Sequence, residues 1–400
     1  VQNIFVCRYL PTNKNLSLCT LSLCGDNSIL DRDKLNEEEA IMSDEKVVKY
    51  DEFGIMDGST MGKPRKMTRD IWLQEVFPEW GSYLNYEIDQ FEVKPGTAAL
   101  WFFGGPSFAL KSQAGAVFTV DLYSGSSMFT DYSYCGVCRT SGADKLWWIR
   151  INPHVIDPWK FKRLDAVCIT HHHQDHLDFY TISAALQTTK CKFIGPPESC
   201  RRMKRDMGVP EDRIIVAEVG KSIQIEDMKI DFAPNFDTIA TKTGFETPAP
   251  FEEVAVSYIF NTEGGGMAFL GDSLYHNGYR MVGEKYNIDW FTMNMGNNAP
   301  GYTDKASPWD LWRIAEALNA RVVCPMHFDN WGNCFEDPSY LEYIVDRKAK
   351  EKKLDLRTVV LMSGARYIHP DDMNIGRYIY PDWRERMNWK KSIEYGPECK

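Results

Sequence analysis

"DAVCITHHHQDHLDF", residues 165–179, places four of the chain's eight histidines and an aspartate within six positions, directly after a short apolar run. That run, 164–170, is apolar in the middle and rich in β-branched residues, which predicts a buried strand. Beyond it, apolar residues between Leu177 and Leu186 recur at helical spacing. The histidines therefore fall on a strand-to-helix loop, where the strand fixes the ligands and the helix start leaves side chains free to converge on a metal. Imidazole nitrogens together with carboxylate oxygens favour a first-row ion such as zinc, manganese or iron over calcium or magnesium. A lone histidine there would read as an ordinary polar loop residue; the alternation His171, His173, Asp175, His176 makes a metal site the expectation.

The 400 residues, 44% hydrophobic and 13% aromatic, suffice for a large core, in two or three domains or in one large layered fold. No apolar stretch approaches the roughly 20 residues of a membrane span, so a soluble chain is expected. The net charge of −10 argues against a general nucleic-acid or anionic-membrane binder, while leaving room for a small anionic substrate in a locally basic pocket. Eleven cysteines, scattered singly, argue against a disulfide framework and for a reducing cytoplasm. Cys135 and Cys138 form one CxxC; with no second pair nearby, it reads as a loop rather than a zinc knuckle.

The first 66 residues differ in character. "NLSLCTLSLCG" (15–25) follows Arg8 and Lys14, but its apolar core is thin and no small-residue cleavage site follows, so it is not read as a signal peptide. The chain starts at Val1, and Met42, Met56, Met61 and Met67 are plausible starts. Residues 1–66 are expected to be a disordered or even untranslated extension, with 31–66, rich in Asp, Glu, Lys and Gly, as linker. Residues 67–400 form the folded domain. From Arg69 onward, "ALWFFGG", "AVFTVDLYSG", "LDAVCIT", "CKFIGPP", "MKIDFAP", "AVSYIFNT", "GMAFLGDS" and "RVVCPMH" are short apolar runs closed by turn or polar residues. Between several of them lie helical patterns, notably Pro308 to Asn319 with Leu311, Ile314, Ala315 and Leu318. The order is that of an α/β fold, whose functional residues gather in loops at strand ends. Two further stretches repeat the strand-then-polar pattern: Asp272 after Gly271 in "MAFLGDSLY", and His327 in "ARVVCPMHFDN".

The set His171, His173, Asp175, His176 (HxHxDH), then Gly271-Asp272 and the late His327, resembles the metallo-β-lactamase superfamily. Within it, "FPEWGSYLNYEIDQFEVKPGTAALWF" (77–102), "GDS", "TDK" (303–305) and "EALNARVVCPMHFDNW" (316–331) are similar to the L-ascorbate 6-phosphate lactonase group, a likeness running from Trp72 to Pro381. The resemblance implies a four-layer αβ/βα sandwich of metallo-β-lactamase type with a metal where the two sheets meet. It also implies a homo-oligomer. Three departures bear on the substrate more than on the fold. Residues 222–262 hold no histidine where many members have one, and Asp237 is the residue there that could offer oxygen. Leu274 stands where the group tends to have histidine, although His276 lies close by. "GGPS" (104–107) replaces an expected "GCTG".

A two-metal reading assigns His171 and His173 to one site, Asp175, His176 and His327 to the other, and Asp272 as bridge. With the usual third histidine absent, a single metal is the expectation. The resemblance points to manganese, with zinc as the alternative. Metal-bound hydroxide would open the lactone ring of L-ascorbate 6-phosphate or a related phosphorylated sugar lactone, with Asp175 or Asp272 holding the water and passing its proton to the ring oxygen. Lys305 and Arg280 are the candidate cations for the substrate phosphate; His154, His172 and His369 are read as structural. Two rivals remain: a metal-dependent phosphodiesterase or nuclease of the same superfamily, and a metal-binding protein without catalysis. The second fits poorly with so many polar residues kept together, because buried polar groups without partners are costly.

Overall fold

Successive side chains of a strand point to opposite sides, so a strand buried along its whole length must have a core on each face. The strand Ala98–Phe102 (β1) does: Ala98, Leu100 and Phe102 enter one apolar cluster, Ala99 and Trp101 another. The computed structural model describes residues 68–75, 82–125, 150–298, 304–332, 334–374 and 378–381. The expected extension 1–66 and the Cys135/Cys138 pair lie outside the described residues.

β1 is followed by Phe108–Lys111 (β2), Val117–Val120 (β3), Ala166–Cys168 (β4), Lys192–Gly195 (β5) and Ile214–Val216 (β6). The second half supplies Ser222–Ile225 (β7), Met228–Ala233 (β8), Ser257–Thr262 (β9), Gly265–Phe269 (β10), Trp290–Asn294 (β11), Val322–Met326 (β12) and Arg357–Thr358 (β13). Val360–Leu361 (β14), Arg366–His369 (β15) and Tyr378–Ile379 (β16) complete the set. One seven-stranded sheet runs β15-β1-β2-β3-β4-β5-β6 and the other β13-β12-β11-β10-β9-β8-β7; β14 and β16 pair separately. Strands β3 to β6 are parallel, as are β10 to β13, while β7 to β10 form an antiparallel meander.

The core between the sheets is built from Leu100, Phe108, Phe118, Phe260, Phe269 and Trp290 among others. On the outer face of the first sheet, Trp101, Val167 and Phe193 meet residues of the helices Tyr83–Gln90 (α1), Phe179–Thr188 (α2) and Pro197–Met207 (α3). On the outer face of the second, Phe291, Met293 and Val323 meet Tyr279–Lys285 (α4), Pro308–Leu318 (α5) and Ser339–Lys352 (α6). The result is the four-layer αβ/βα sandwich of metallo-β-lactamase type.

Helix ends follow local chemistry. In α5, Ser307 and Asp310 form a reciprocal capping box, Pro308 occupies the first turn, and Asn319 ends the helix in the left-handed region. The segment expected from Leu177 begins instead at Phe179, because Asp178 caps it by accepting from Thr181 N at 2.8 Å and Leu177 belongs to the preceding turn. Pro325 sits in β12 without disturbing the sheet: β13 pairs only with Val322 and Val323, so at Pro325 that flank needs no donor.

Trp290 fills the inter-sheet core against Phe269, Tyr367 and Phe108, with ring centroids 5.4, 6.2 and 6.3 Å away, and its indole N–H has no partner. Trp290→Ala should therefore lower stability by about 3–5 kcal/mol in urea denaturation, and Trp290→Phe by much less, since it removes the unpaired donor along with some contact. Equal losses for the two would contradict this packing.

Candidate metal centre

The parallel strands of both sheets carry their chains toward one edge, and every residue singled out by the strand-then-polar pattern leaves a C-terminal strand end there. From the first sheet come the loop His171–Asp178 after β4 and Asp121 after β3. From the second come Asp237 after β8, Asp272 after β10 and His327 after β12. The two halves are tied at this edge by Val256 N donating to Thr170 O at 2.9 Å and by a bridge between His171 and Ala255. Gly271 is required there: it has φ +57°, and a Cβ would lie 2.6 Å from Thr170 Oγ1. Asp121 and His327 adopt φ +49° and +69°, left-handed backbone that costs a non-glycine residue of order 1–3 kcal/mol and is held by the surrounding contacts.

These residues converge. Three overlapping triads, His171–His173–Asp237, His171–His176–Asp272 and Asp175–His176–His327, each bring one donor atom per residue within 4.8 Å of the other two. None of the seven is more than 3% exposed. His171 Nε2 lies 2.9 Å from His173 Nδ1 and 3.6 Å from Asp237 Oδ2. His176 Nε2 stands 3.2 Å from Asp272 Oδ1 and 3.5 Å from Asp175 Oδ2, and His327 Nε2 stands 2.7 Å from Asp175 Oδ2.

A second ring of contacts aims these donors. His176 Nδ1 is 2.8 Å from Asp121 Oδ2, and Asp121 also accepts from Thr170 N and Oγ1 at 2.8 and 2.6 Å. Thr170 Oγ1 reaches His171 Nδ1 at 3.1 Å, and Thr243 Oγ1 reaches His173 Nε2 at 3.0 Å. Such partners fix the ring and its tautomer, leaving the opposite nitrogen to face the cluster. Asn330 donates to Asp175 Oδ2 at 3.3 Å. In Asp237, Oδ1 accepts from Ile239 N and Ala240 N, and Oδ2 is left for the cluster.

A divalent metal fits this set. His176 Nε2, Asp237 Oδ2 and Asp272 Oδ1 are buried without hydrogen-bond partners, a cost of about 1–3 kcal/mol each that a shared cation would remove. Burial, reinforced by Asp272 and Asp304, pushes the Asp237 carboxyl up to about 8, as expected where negative charge lacks a counter-charge. Burial also holds His173 at about 4 and His171 well below the usual imidazole range, so both rings are neutral and ready to ligate. For His176 burial acts in the same sense, but Asp175, Asp272 and Asp121 outweigh it and raise the ring well above its usual range; a dication would displace that proton.

The expectation of a single metal rested on a missing third ligand beside His171 and His173, and Asp237 stands in that place. Lys305, expected at a substrate phosphate, is instead inside the cluster: its buried ammonium contacts Asp272 Oδ2, reaches Asp304 Oδ2 at 3.0 Å and lies 3.3 Å from His327 Nε2. Arg280 is not brought to the cluster; its side chain is exposed on α4 and pairs with Glu284 at 3.1 Å. His276 stacks on Phe236 with centroids 4.1 Å apart, and Leu274 packs at the edge of the outer core. His172 Nε2 turns to Thr243 O at 3.1 Å, and His369 lies on β15 beside Tyr367. Asp121, Thr170, Thr243, Asp304 and Asn330 were not singled out in sequence. Only Asp121 carried a signal, since it ends the apolar run "AVFTVD" much as Asp272 ends "MAFLGD".

Comparison with known proteins bears on the family and the fold. The pattern of the Beta-lactamase superfamily domain matches residues 146–328. A protein of Escherichia coli O127:H6 named "Probable L-ascorbate-6-phosphate lactonase UlaG" is 35% identical over 336 residues, covering 80% of this chain and 95% of its own. One of the same name from Escherichia fergusonii is 35% identical over the same shares. The crystal structure of an isothiocyanate hydrolase from Delia radicum gut bacteria superposes with a TM-score of 0.51 at 16% identity, covering 67% of this chain and 98% of that one. It supports the fold.

Because Asp121 aims His176, Asp121→Ala should weaken metal binding roughly 10–100-fold with little change in fold, measured by competition against a chromophoric chelator. Unchanged affinity would contradict its orienting role.

Proposed function

Since this chain belongs to the metallo-β-lactamase superfamily, in the family of the relatives named as L-ascorbate-6-phosphate lactonases, and is a metal-dependent hydrolase, we propose that it opens the lactone ring of L-ascorbate 6-phosphate or a closely related phosphorylated sugar lactone. The observation that carries the chemistry is the convergence of buried imidazoles and carboxylates, three of whose atoms, His176 Nε2, Asp237 Oδ2 and Asp272 Oδ1, have no hydrogen-bond partner. The choice of substrate is supported by the relatives that match over most of their length.

The metal would be held by residues drawn from His171, His173, Asp175, His176, Asp237, Asp272 and His327. Manganese is the ion proposed, with zinc the alternative on the same ligands. When bound, it supplies Lewis acidity, making water nucleophilic near neutral pH and stabilising negative charge on a carbonyl oxygen. Asp175 or Asp272, whichever is not committed to the metal, would hold the attacking water and carry its proton to the departing ring oxygen. Burial disfavours their charged forms. Nevertheless His176 and His327 hold Asp175 at about 2, and His327, Lys305 and His176 hold Asp272 well below the usual carboxylate range. Both therefore stay ionised and able to accept a hydrogen bond from the water. Burial of the centre, none of whose donors exceeds 3% exposure, strengthens each of these interactions. A lactone asks less of the nucleophile than an unactivated amide does, which suits manganese, the weaker Lewis acid on the usual ordering.

A cytoplasmic reaction is part of the same proposal, and the state of the cysteines supports it. The described cysteines, Cys168, Cys191, Cys200, Cys324 and Cys334, are all free and buried, and such thiols persist in a reducing compartment. Among the described residues no helix is long and apolar enough to cross a membrane.

Protein stripped of metal and reloaded with manganese or zinc should hydrolyse L-ascorbate 6-phosphate, and Asp272→Ala should reduce kcat/KM by about 100-fold or more. Full metal occupancy without turnover of this lactone, or faster turnover of bis(p-nitrophenyl) phosphate, would overturn the substrate reading.

A further inference from the structure

Lys305 is an unusual residue to find among metal ligands. Its side chain is 1% exposed, and the ammonium spends its hydrogens on Asp272 Oδ2 and Asp304 Oδ2, with the remaining one toward His327 Nε2 at 3.3 Å. The position is built rather than incidental. Asn298 clamps the lysine backbone from both sides, Oδ1 accepting from Lys305 N at 2.7 Å and Nδ2 donating to Lys305 O at 3.0 Å. Gly296 gives the stem room, since a Cβ there would stand 3.3 Å from Lys305 Cγ.

An ion on the Asp175–His176–His327 triad needs the lone pair of His327 Nε2 and an oxygen of Asp175. That nitrogen lies 3.3 Å from Lys305 Nζ and 2.7 Å from Asp175 Oδ2, so according to its tautomer it either accepts from the ammonium or donates to the carboxylate. A dication there would also stand at close range to a fixed ammonium, in surroundings that screen charge poorly. At the other end of the cluster, Asp237 Oδ2 has no partner and lies 3.6 Å from His171 Nε2, with His173 alongside. We infer that Lys305 is the built-in second cation of the centre, so that the chain takes one divalent metal, at the His171, His173 and Asp237 end, with Asp272 and His176 facing it. Lys305 thus acts as a positioning residue: it neutralises Asp272 on the side away from the metal. The inference rests on the proposed reading only in taking the centre to bind a divalent metal.

The test uses the full chain, stripped with chelator, saturated with manganese and freed of excess ion. Metal per chain is counted by mass spectrometry, and the ion is examined by electron paramagnetic resonance. The expected result is one manganese with a mononuclear spectrum for wild type and for Lys305→Arg, and two manganese with an exchange-coupled spectrum for Lys305→Met. His327→Ala should keep its single metal. Two metals in wild type, one metal in a folded Lys305→Met protein, or loss of the metal in His327→Ala would each overturn the inference; should Lys305→Met fail to fold, the wild-type and His327→Ala counts decide. Lack of lactone turnover by the one-metal protein would count against the substrate reading and leave the metal count standing.

Discussion

Asp175, Asp237, Asp272 and Asp304 lie buried around one cluster at the strand ends, and the energy of burying that much negative charge shapes everything near it. Ionised carboxylates taken out of water must find counter-charges or give up their charge. Asp272 and Asp304 find Lys305, and Asp175 finds His176 and His327. Asp237 has only backbone donors on one oxygen and nothing on the other, and its carboxyl rises to about 8. The imbalance sits where two neutral imidazoles offer lone pairs, so a divalent cation answers both demands together.

The scaffold makes such a concentration tolerable. Two seven-stranded sheets with cores on all inner and outer faces hold the strand ends rigidly, so the cost of the polar cluster and of the left-handed backbone at Asp121 and His327 is spread over a large packed structure. Loops leaving those ends need not contribute stability, and their side chains are free to serve the reaction. Neither sheet alone could build the centre: the HxHxDH loop and Asp121 come from one, Asp237, Asp272, Lys305 and His327 from the other.

The fold was largely legible because its strands are buried on both faces and stand out as continuous apolar runs. "ALWFFGG", "CKFIGPP", "GMAFLGDS" and "RVVCPMH" are all strands. Strand β7, whose side chains alternate between exposed and half-buried with no continuous apolar run, gave no comparable signal. In the site, candidate ligands that directly follow a strand could be read from local pattern. Lys305 could not, because a lysine in "GYTDK" looks solvated until the clamp by Asn298 and the two carboxylates are seen. Thr243 and Asn330 act through contacts 70 and 155 positions away, which no local pattern encodes. Arg280 lies away from the cluster, because charge and proximity to Asp272 in sequence say nothing of which helix face an arginine occupies.

The most direct test is to locate the ion by anomalous diffraction from crystals of the manganese-loaded protein. A peak at about 2.0–2.3 Å from His171 Nε2, with Asp237 and Asp272 oxygens around it, is the result predicted for a centre built on this charge imbalance. An ion bound away from the strand ends, or none there at saturating metal, would contradict it.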